Sequence, residues 1–199
     1  MNKEDLINRL RMDGFSNKIL RGFEKVKRGD FINRDLIDCA YLNEPLPIGS
    51  GQTISQPYTI AFMLELLELK NNLKILEVGS GSGYVLALIN EISKNSKIFG
   101  IERIEELVEN SRKALNDDKY NNIKIIYGNG SKGLKGEKLD RILVSASADT
   151  LLNRLVNQLN INGIMVCVIK NSIFQIKKIK NKIVKREFPG FVFVPLVKD

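Results

Sequence analysis

Apolar residues along this chain fall into two alternating periods. At 73–84, LKILEVGSGSGY, the residues Leu73, Ile75, Leu76 and Val78 form a short, nearly continuous apolar run. Such a run predicts a strand buried on both faces. Val85, Leu88, Ile89 and Ile92 follow at i, i+3, i+4 and i+7, the apolar stripe of a helix. The same alternation recurs downstream. Strands are predicted at 97–101, 123–127, 139–144 and 164–169, with helices carrying Ile104, Leu107, Val108, Ser111 and Leu115 and then Leu152, Leu155, Val156 and Leu159. Asp149 or Thr150 caps the last of these helices and Gly163 ends it. The chain then reads as strands at 174–180, 183–187 and 191–196, joined by turns at 181–182 and 189–190. Repeated β-α units with this ending predict a doubly wound α/β fold, its sheet mostly parallel with an antiparallel C-terminal edge.

Ahead of this core, 4–11 and 17–27 read as two short helices, separated by Asp13 and Gly14. Residues 28–41 form an irregular link with an apolar patch of Leu36, Ile37 and Ala40. The stretch 43–57, NEPLPIGSGQTISQP, holds three prolines and two glycines, which argues against regular structure. Its Leu46, Ile48 and Ile54 argue that it is nevertheless ordered, and Pro57 suits the first turn of a helix over 58–69. The expected layout is one domain over 1–199, with a helical cap at 1–42, a functional loop at 43–57 and the α/β core at 58–199.

The bulk composition narrows the classes. Of the 199 residues, 43% are hydrophobic and 27% charged, as in a soluble globular protein. No apolar run reaches the ~20 residues of a membrane span, and the N-terminus lacks the apolar core of a signal peptide. The expectation is a cytoplasmic protein with no membrane partner. Cys39 and Cys167 sit far apart in apolar settings and read as buried reduced thiols. Histidine is absent, which removes imidazole base chemistry and the commonest metal ligand, so no metal is expected. The net charge of +8 allows nucleic-acid binding. Its lysines at 170–185 lack the interleaved aromatics of a stacking platform, and a solvated strand face accounts for them.

Chemistry concentrates at strand ends. Gly79, Gly81 and Gly83 alternate after the first core strand, where a backbone must bend sharply and a ligand can lie against it. Glu77 precedes them by two positions, well placed for a cationic or hydroxyl-bearing ligand and hostile to a pyrophosphate. Glu102 ends the second strand, 19 residues after Gly83, and is placed to accept ribose hydroxyls. Gly128, Asn129 and Gly130 end the third.

The form E-x-G-x-G-x-G resembles the first motif of the class I methyltransferases that use S-adenosylmethionine. PLPIGSGQTISQP, the methionine-bearing helix after it, KILEVGSGSGY, IER at 101–103, the loop at 128–130 and FVFVPL at 191–196 together resemble the protein-L-isoaspartate O-methyltransferases. The resemblance spans nearly the whole chain. It implies a Rossmann-like fold and transfer of a methyl group from S-adenosylmethionine to the free α-carboxylate of isoaspartyl residues in damaged proteins and peptides. It implies no specific nucleic-acid partner, and the expectation is a monomer. Ser55 is then the active-site serine, a hydrogen-bond donor to the carboxylate. Gln52, Thr53, Ile54 and Gln175 contact substrate. Thr53, Glu77, Gly79, Ser80, Gly81, Gly83, Glu102, Asn129 and Gly130 bind cofactor.

Two positions depart from the family pattern. Asn129 stands where aspartate is usual, so the bond to the adenine amine loses its charge-assisted part. Lys170-Asn171 replaces the usual Pro-x-Gly. A nucleic-acid methyltransferase is the main rival, but Ser145-Ala146-Ser147-Ala148 is unlike the [DN]-P-P-[YFW] motif of amino-adenine enzymes. Cys167, inside an apolar strand, is not a cytosine-attacking nucleophile. A non-catalytic cofactor-binding relative is the other alternative.

Overall fold

The computed structural model of the chain describes residues 1–180 and 182–196. These residues form strands β1 (Leu46–Gly49), β2 (Gln52–Ile54), β3 (Lys74–Val78), β4 (Lys97–Glu102), β5 (Ile123–Tyr127), β6 (Leu139–Ala148), β7 (Leu159–Ile169), β8 (Ser172–Ile179) and β9 (Lys182–Pro189). The α-helices are α1 (Lys3–Met12), α2 (Asn17–Lys25), α3 (Pro57–Leu66), α4 (Tyr84–Ile92), α5 (Glu105–Ala114) and α6 (Asn153–Gln158). Strands β3 to β9 make one sheet in the order β5-β4-β3-β6-β7-β8-β9. Pairings from β5 through β7 are parallel, while β8 and β9 add antiparallel. This is the doubly wound α/β architecture that the alternating periods predicted. The turn expected at 181–182 includes Asn181, outside the described residues.

Strand β3 is central because its sequence suits burial on both faces. Ile75 joins one apolar cluster while Leu76 and Val78 join the other, the alternation a pleated strand imposes. The N-terminal helices belong to the first cluster. Leu6, Leu10, Ile19 and Phe23 share it with Leu64 of α3, Leu86 and Leu88 of α4 and Val166 of β7. Helix α1 begins with a reciprocal cap, Asn2 Oδ1 accepting from Asp5 N and Asp5 Oδ2 from Asn2 N, both at 2.9 Å.

Four local expectations are corrected. The stretch 43–57 contains a hairpin, β1 pairing antiparallel with β2. Its turn runs through three consecutive positive φ values, Gly49 at 97°, Ser50 at 50° and Gly51 at 69°. Pro47 is exposed on this small ribbon between buried Leu46 and Ile48, an edge setting that tolerates proline. Helix α6 spans only six residues, because β6 runs on to Ala148 and β7 starts at Leu159. Gly163 therefore lies inside β7, beside Asn162 at φ 65° and a break in register, and ends no helix. Residues 191–196 are not a strand. Among the described residues they are bridged to the sheet at Ser147–Pro195, with Ser147 N donating to Val194 O and Leu196 N to Ser147 O.

Candidate functional site

The sheet order reverses beside β3. The chain runs outward through β4 and β5, then returns to place β6 on the other side of β3. Crevices open where strand order reverses, at the carboxyl ends of the strands. Here Gly79, Gly81 and Gly83 take φ values of 77°, 51° and 85°, a left-handed path open to glycine at little steric cost.

Glu77 enters this crevice from β3. It is 1% exposed, and its Oε1 accepts from Ser145 Oγ at 2.7 Å. Its Oε2 is buried with no hydrogen-bond partner, as is Ser80 Oγ. Burial pushes the Glu77 carboxyl up to about 8, with the Glu102 charge adding to the rise and the Ser145 bond opposing it. A carboxyl group left in this state favours a cation or a hydrogen-bond donor as its missing neighbour.

Glu102 is also buried, and it accepts three backbone hydrogen bonds. Oε2 accepts from Gly81 N at 3.0 Å, while Oε1 accepts from Arg103 N at 2.8 Å and Ile104 N at 3.0 Å. The residue thus ties the glycine loop to the entry of α5. Three of a carboxylate's roughly four acceptor positions are filled, leaving about one for a ligand hydroxyl rather than room for two. Asn129 Oδ1, expected to accept from a ligand amine, accepts from Ser131 N at 2.9 Å within its own turn, and an amide oxygen carries a second lone pair that such an amine can use. Gly130 is required by packing, since a Cβ there would lie 2.4 Å from Val78 Cγ1.

Ser145 arrives by a bulge. Register in β6 shifts between Val144, paired with Cys167, and Ser147, paired with Val168. Ser145 and Ala146 bow out between those pairs, a device that re-aims side chains near sites. The hairpin β1–β2 and the segment 189–196 close over the crevice and divide it into three connected spaces. The first, about 690 Å³ measured out to its mouth, is lined by Gln52, Thr53, Gly79, Gly81, Glu102, Asn129 and Gly130 among others. The second, about 480 Å³, touches Thr53, Ile54, Ser55, Glu77 and Ser80. The third is an open groove of about 1290 Å³ between Pro45, Ser55, Tyr58 and residues 189–194. Thr53 and Ser145 line all three, and Ser55 stands between the second and third.

Two of the expected site residues lie elsewhere. Gln175, 2% exposed in β8, lines none of these spaces. Its Nε2 donates to Leu66 O at 2.5 Å and Glu68 Oε1 at 3.2 Å, so the amide secures the end of α3. Gly83 does not line the spaces either. It is the left-handed N-cap of α4, with Leu115 Cδ1 2.9 Å from where a Cβ would be. Ser55 is free of helix-capping duty. Gln56 is the N-cap of α3, and Asn43 Oδ1 accepts from Tyr58 N at 2.9 Å. Cys167 is buried in β7, its thiol pushed up to about 12 by that burial, and is unsuited to nucleophilic attack. Sequence reasoning passed over Ser145, Asn43 and Ile48. A serine just beyond the strand predicted at 139–144 was the available signal for Ser145.

A parallel sheet whose switch point carries a glycine loop and two buried carboxylates has the form of a class I S-adenosylmethionine-dependent methyltransferase. A family profile described as Protein-L-isoaspartate(D-aspartate) O-methyltransferase (PCMT) matches residues 1–199. The chain belongs to that family. It is 40% identical over 197 residues to the protein-L-isoaspartate O-methyltransferase of Fervidobacterium nodosum, covering 96% of this chain and 99% of that protein. It is 39% identical over 207 residues to the one from Methanopyrus kandleri, covering 99% and 92%. A solved structure described as a protein-L-isoaspartate O-methyltransferase from Plasmodium falciparum, in complex with S-adenosyl-L-homocysteine, superposes with a TM-score of 0.87 at 29% identity, covering all of both chains.

Proposed function

We propose that this chain methylates the free α-carboxylate of L-isoaspartyl residues, with S-adenosylmethionine as donor, and so starts the repair of damaged proteins. One observation carries the reading. A run of hydroxyls, Thr53, Ser55 and Ser145, joins the cavity over the glycine loop to an open groove of about 1290 Å³.

The residues present fit the cofactor. The partnerless Glu77 Oε2 suits a cationic ligand, and Gly79 and Gly81 offer bare backbone at the cavity wall. Glu77, Gly79, Ser80 and Gly81 would hold its amino-acid end, and Glu102, Asn129 and Gly130 its nucleoside end. S-adenosylmethionine supplies a methyl group on a positively charged sulfur, which leaves as a neutral thioether. An α-carboxylate is ionised near neutral pH and needs no general base, in keeping with a chain that lacks histidine. Ser55 and Thr53 donate to the carboxylate and aim it, while Gln52, Ile54 and the hairpin shield it from water. The neighbouring amide nitrogen then attacks the carbonyl of the resulting methyl ester and expels methanol, giving a succinimide.

The same reading makes the chain a monomer in one unit over 1–199, divided at 42 and 57, without a specific nucleic-acid partner. A cytoplasmic setting draws support from Cys39 and Cys167, which are both free thiols. Among the described residues no helix is long and apolar enough to cross a membrane.

The test pairs an isoaspartyl peptide with its normal aspartyl twin and an RNA, using labelled cofactor. Label should enter the isoaspartyl peptide alone. Equal labelling of the twins would defeat the specificity, and label in RNA but neither peptide would favour the nucleic-acid reading.

A further inference from the structure

Arg28 is 0% exposed and has no carboxylate partner among the described residues. Its guanidinium instead donates to four backbone carbonyls. Nη1 reaches Ala40 O at 3.0 Å and Leu42 O at 3.1 Å, and Nη2 reaches Glu44 O at 3.0 Å and Ser55 O at 3.2 Å. Three of these carbonyls lie in the non-regular segment ahead of β1, and the fourth directly follows β2. One planar group therefore clips together both feet of the hairpin that roofs the site. Burying a guanidinium is costly unless its donors are satisfied; both Nη atoms are satisfied while Nε is buried without a partner, and the inward carbonyls of an irregular segment need donors in turn. A second tether acts on the same segment, with Gln56 Nε2 donating to Asn43 O at 2.8 Å.

We infer that Arg28 is a positioning residue for methyl transfer, which sets the Ser55 hydroxyl against the substrate carboxylate by fixing the Ser55 carbonyl to the 40–44 segment. The inference rests on the proposed role of Ser55. The fork geometry is essential to it. Lysine offers three donors from one point and cannot span four carbonyls on two chain segments. Releasing the Ser55 foot lets the hydroxyl drift, and displacements near 1 Å can cost on the order of 100-fold in rate.

The experiment compares Arg28→Lys and Arg28→Gln, each alone and combined with Ser55→Ala. Turnover of an isoaspartyl peptide is normalised to sites that bind S-adenosylhomocysteine in calorimetry, and amide exchange is followed over 43–57. Arg28→Lys should keep the product's Kd within about two-fold, lower kcat roughly 10- to 100-fold, and speed exchange over 43–57. In the Ser55→Ala background the same change should cost less than about three-fold, because residues acting as one unit are non-additive. Equal loss in both backgrounds would overturn the inference while leaving Ser55 catalytic. So would unchanged kcat per binding site, or failure of both Arg28 variants to bind product, which would make Arg28 a scaffold residue. Full turnover in Ser55→Ala alone would remove the Ser55 reading itself.

Discussion

Glu77 and Ser55 carry the residue-scale predictions. Glu77 has a folded value of about 8 against an ordinary 4.5, so the folded chain holds more protons between those limits. Its contribution is therefore complete below about pH 4.5 and lost as pH rises through 8. At ~1.4 kcal/mol per unit this amounts to up to roughly 5 kcal/mol for the ligand-free protein. Thermal midpoints should fall between pH 5 and 8.5, and Glu77→Gln should flatten that slope. A cationic ligand beside Oε2 reverses the preference. Binding at pH 7 should then release about one proton, read by calorimetry in buffers of different ionisation enthalpy, and Glu77→Gln should abolish the release. Ser55→Ala removes a hydrogen bond to a charged group, worth roughly 1.5–3 kcal/mol, or about 10- to 150-fold in kcat. Because Asn43 Oδ1, not Ser55, accepts from Tyr58 N in the first turn of α3, the melting curve should barely move. A destabilised variant with normal turnover would instead make Ser55 structural.

Elements position these residues, and two of them invite direct tests. Gly83 starts α4 at φ 85°, with Leu115 Cδ1 2.9 Å from where a Cβ would stand. Gly83→Ala adds left-handed strain of about 1–2 kcal/mol plus a steric clash, so the denaturant midpoint should fall at unchanged m-value. Strand β9 is the exposed edge of the sheet, with Ile183 40% and Val184 44% exposed. Lys182, Lys185 and Arg186 lie exposed along it, and edge charges of this kind discourage pairing with a second chain. Lys182→Val combined with Lys185→Val should produce concentration-dependent association in light scattering beyond that of the parent chain.

For the whole molecule, the proposed cofactor site draws on β3, β4, the loop after β5, β6 and the hairpin at once. Occupying it should therefore stabilise the entire fold. At 100 times its Kd, S-adenosylhomocysteine should add about 2.7 kcal/mol. For a chain of this size that corresponds to a rise of roughly 5–11 °C in Tm, measured by calorimetry. A shift confined to local probes around the hairpin would show that the N-terminal helices melt separately from the sheet.

The sequence by itself determined the parallel core, the antiparallel edge, the glycine loop with its two carboxylates, and the family, because those features rest on local periodicity and on contiguous motifs. Tertiary structure decided the rest. A bulge in β6 aims Ser145 at Glu77, and no local pattern marks a register shift between strands that pair across the sheet. Gln175 read as a groove residue because its strand leads there, yet its partners lie 107 and 109 positions away. Arg28 drew no notice among the cation-rich residues near it, since a buried fork is told from a surface charge only by the carbonyls that converge on it. Residues 191–196 looked like a strand from their alternation, but they meet β6 at the Ser147–Pro195 bridge instead of extending the edge at β9, and 191–194 line the groove. Periodicity reports which face is apolar, and the fold determines what that face meets.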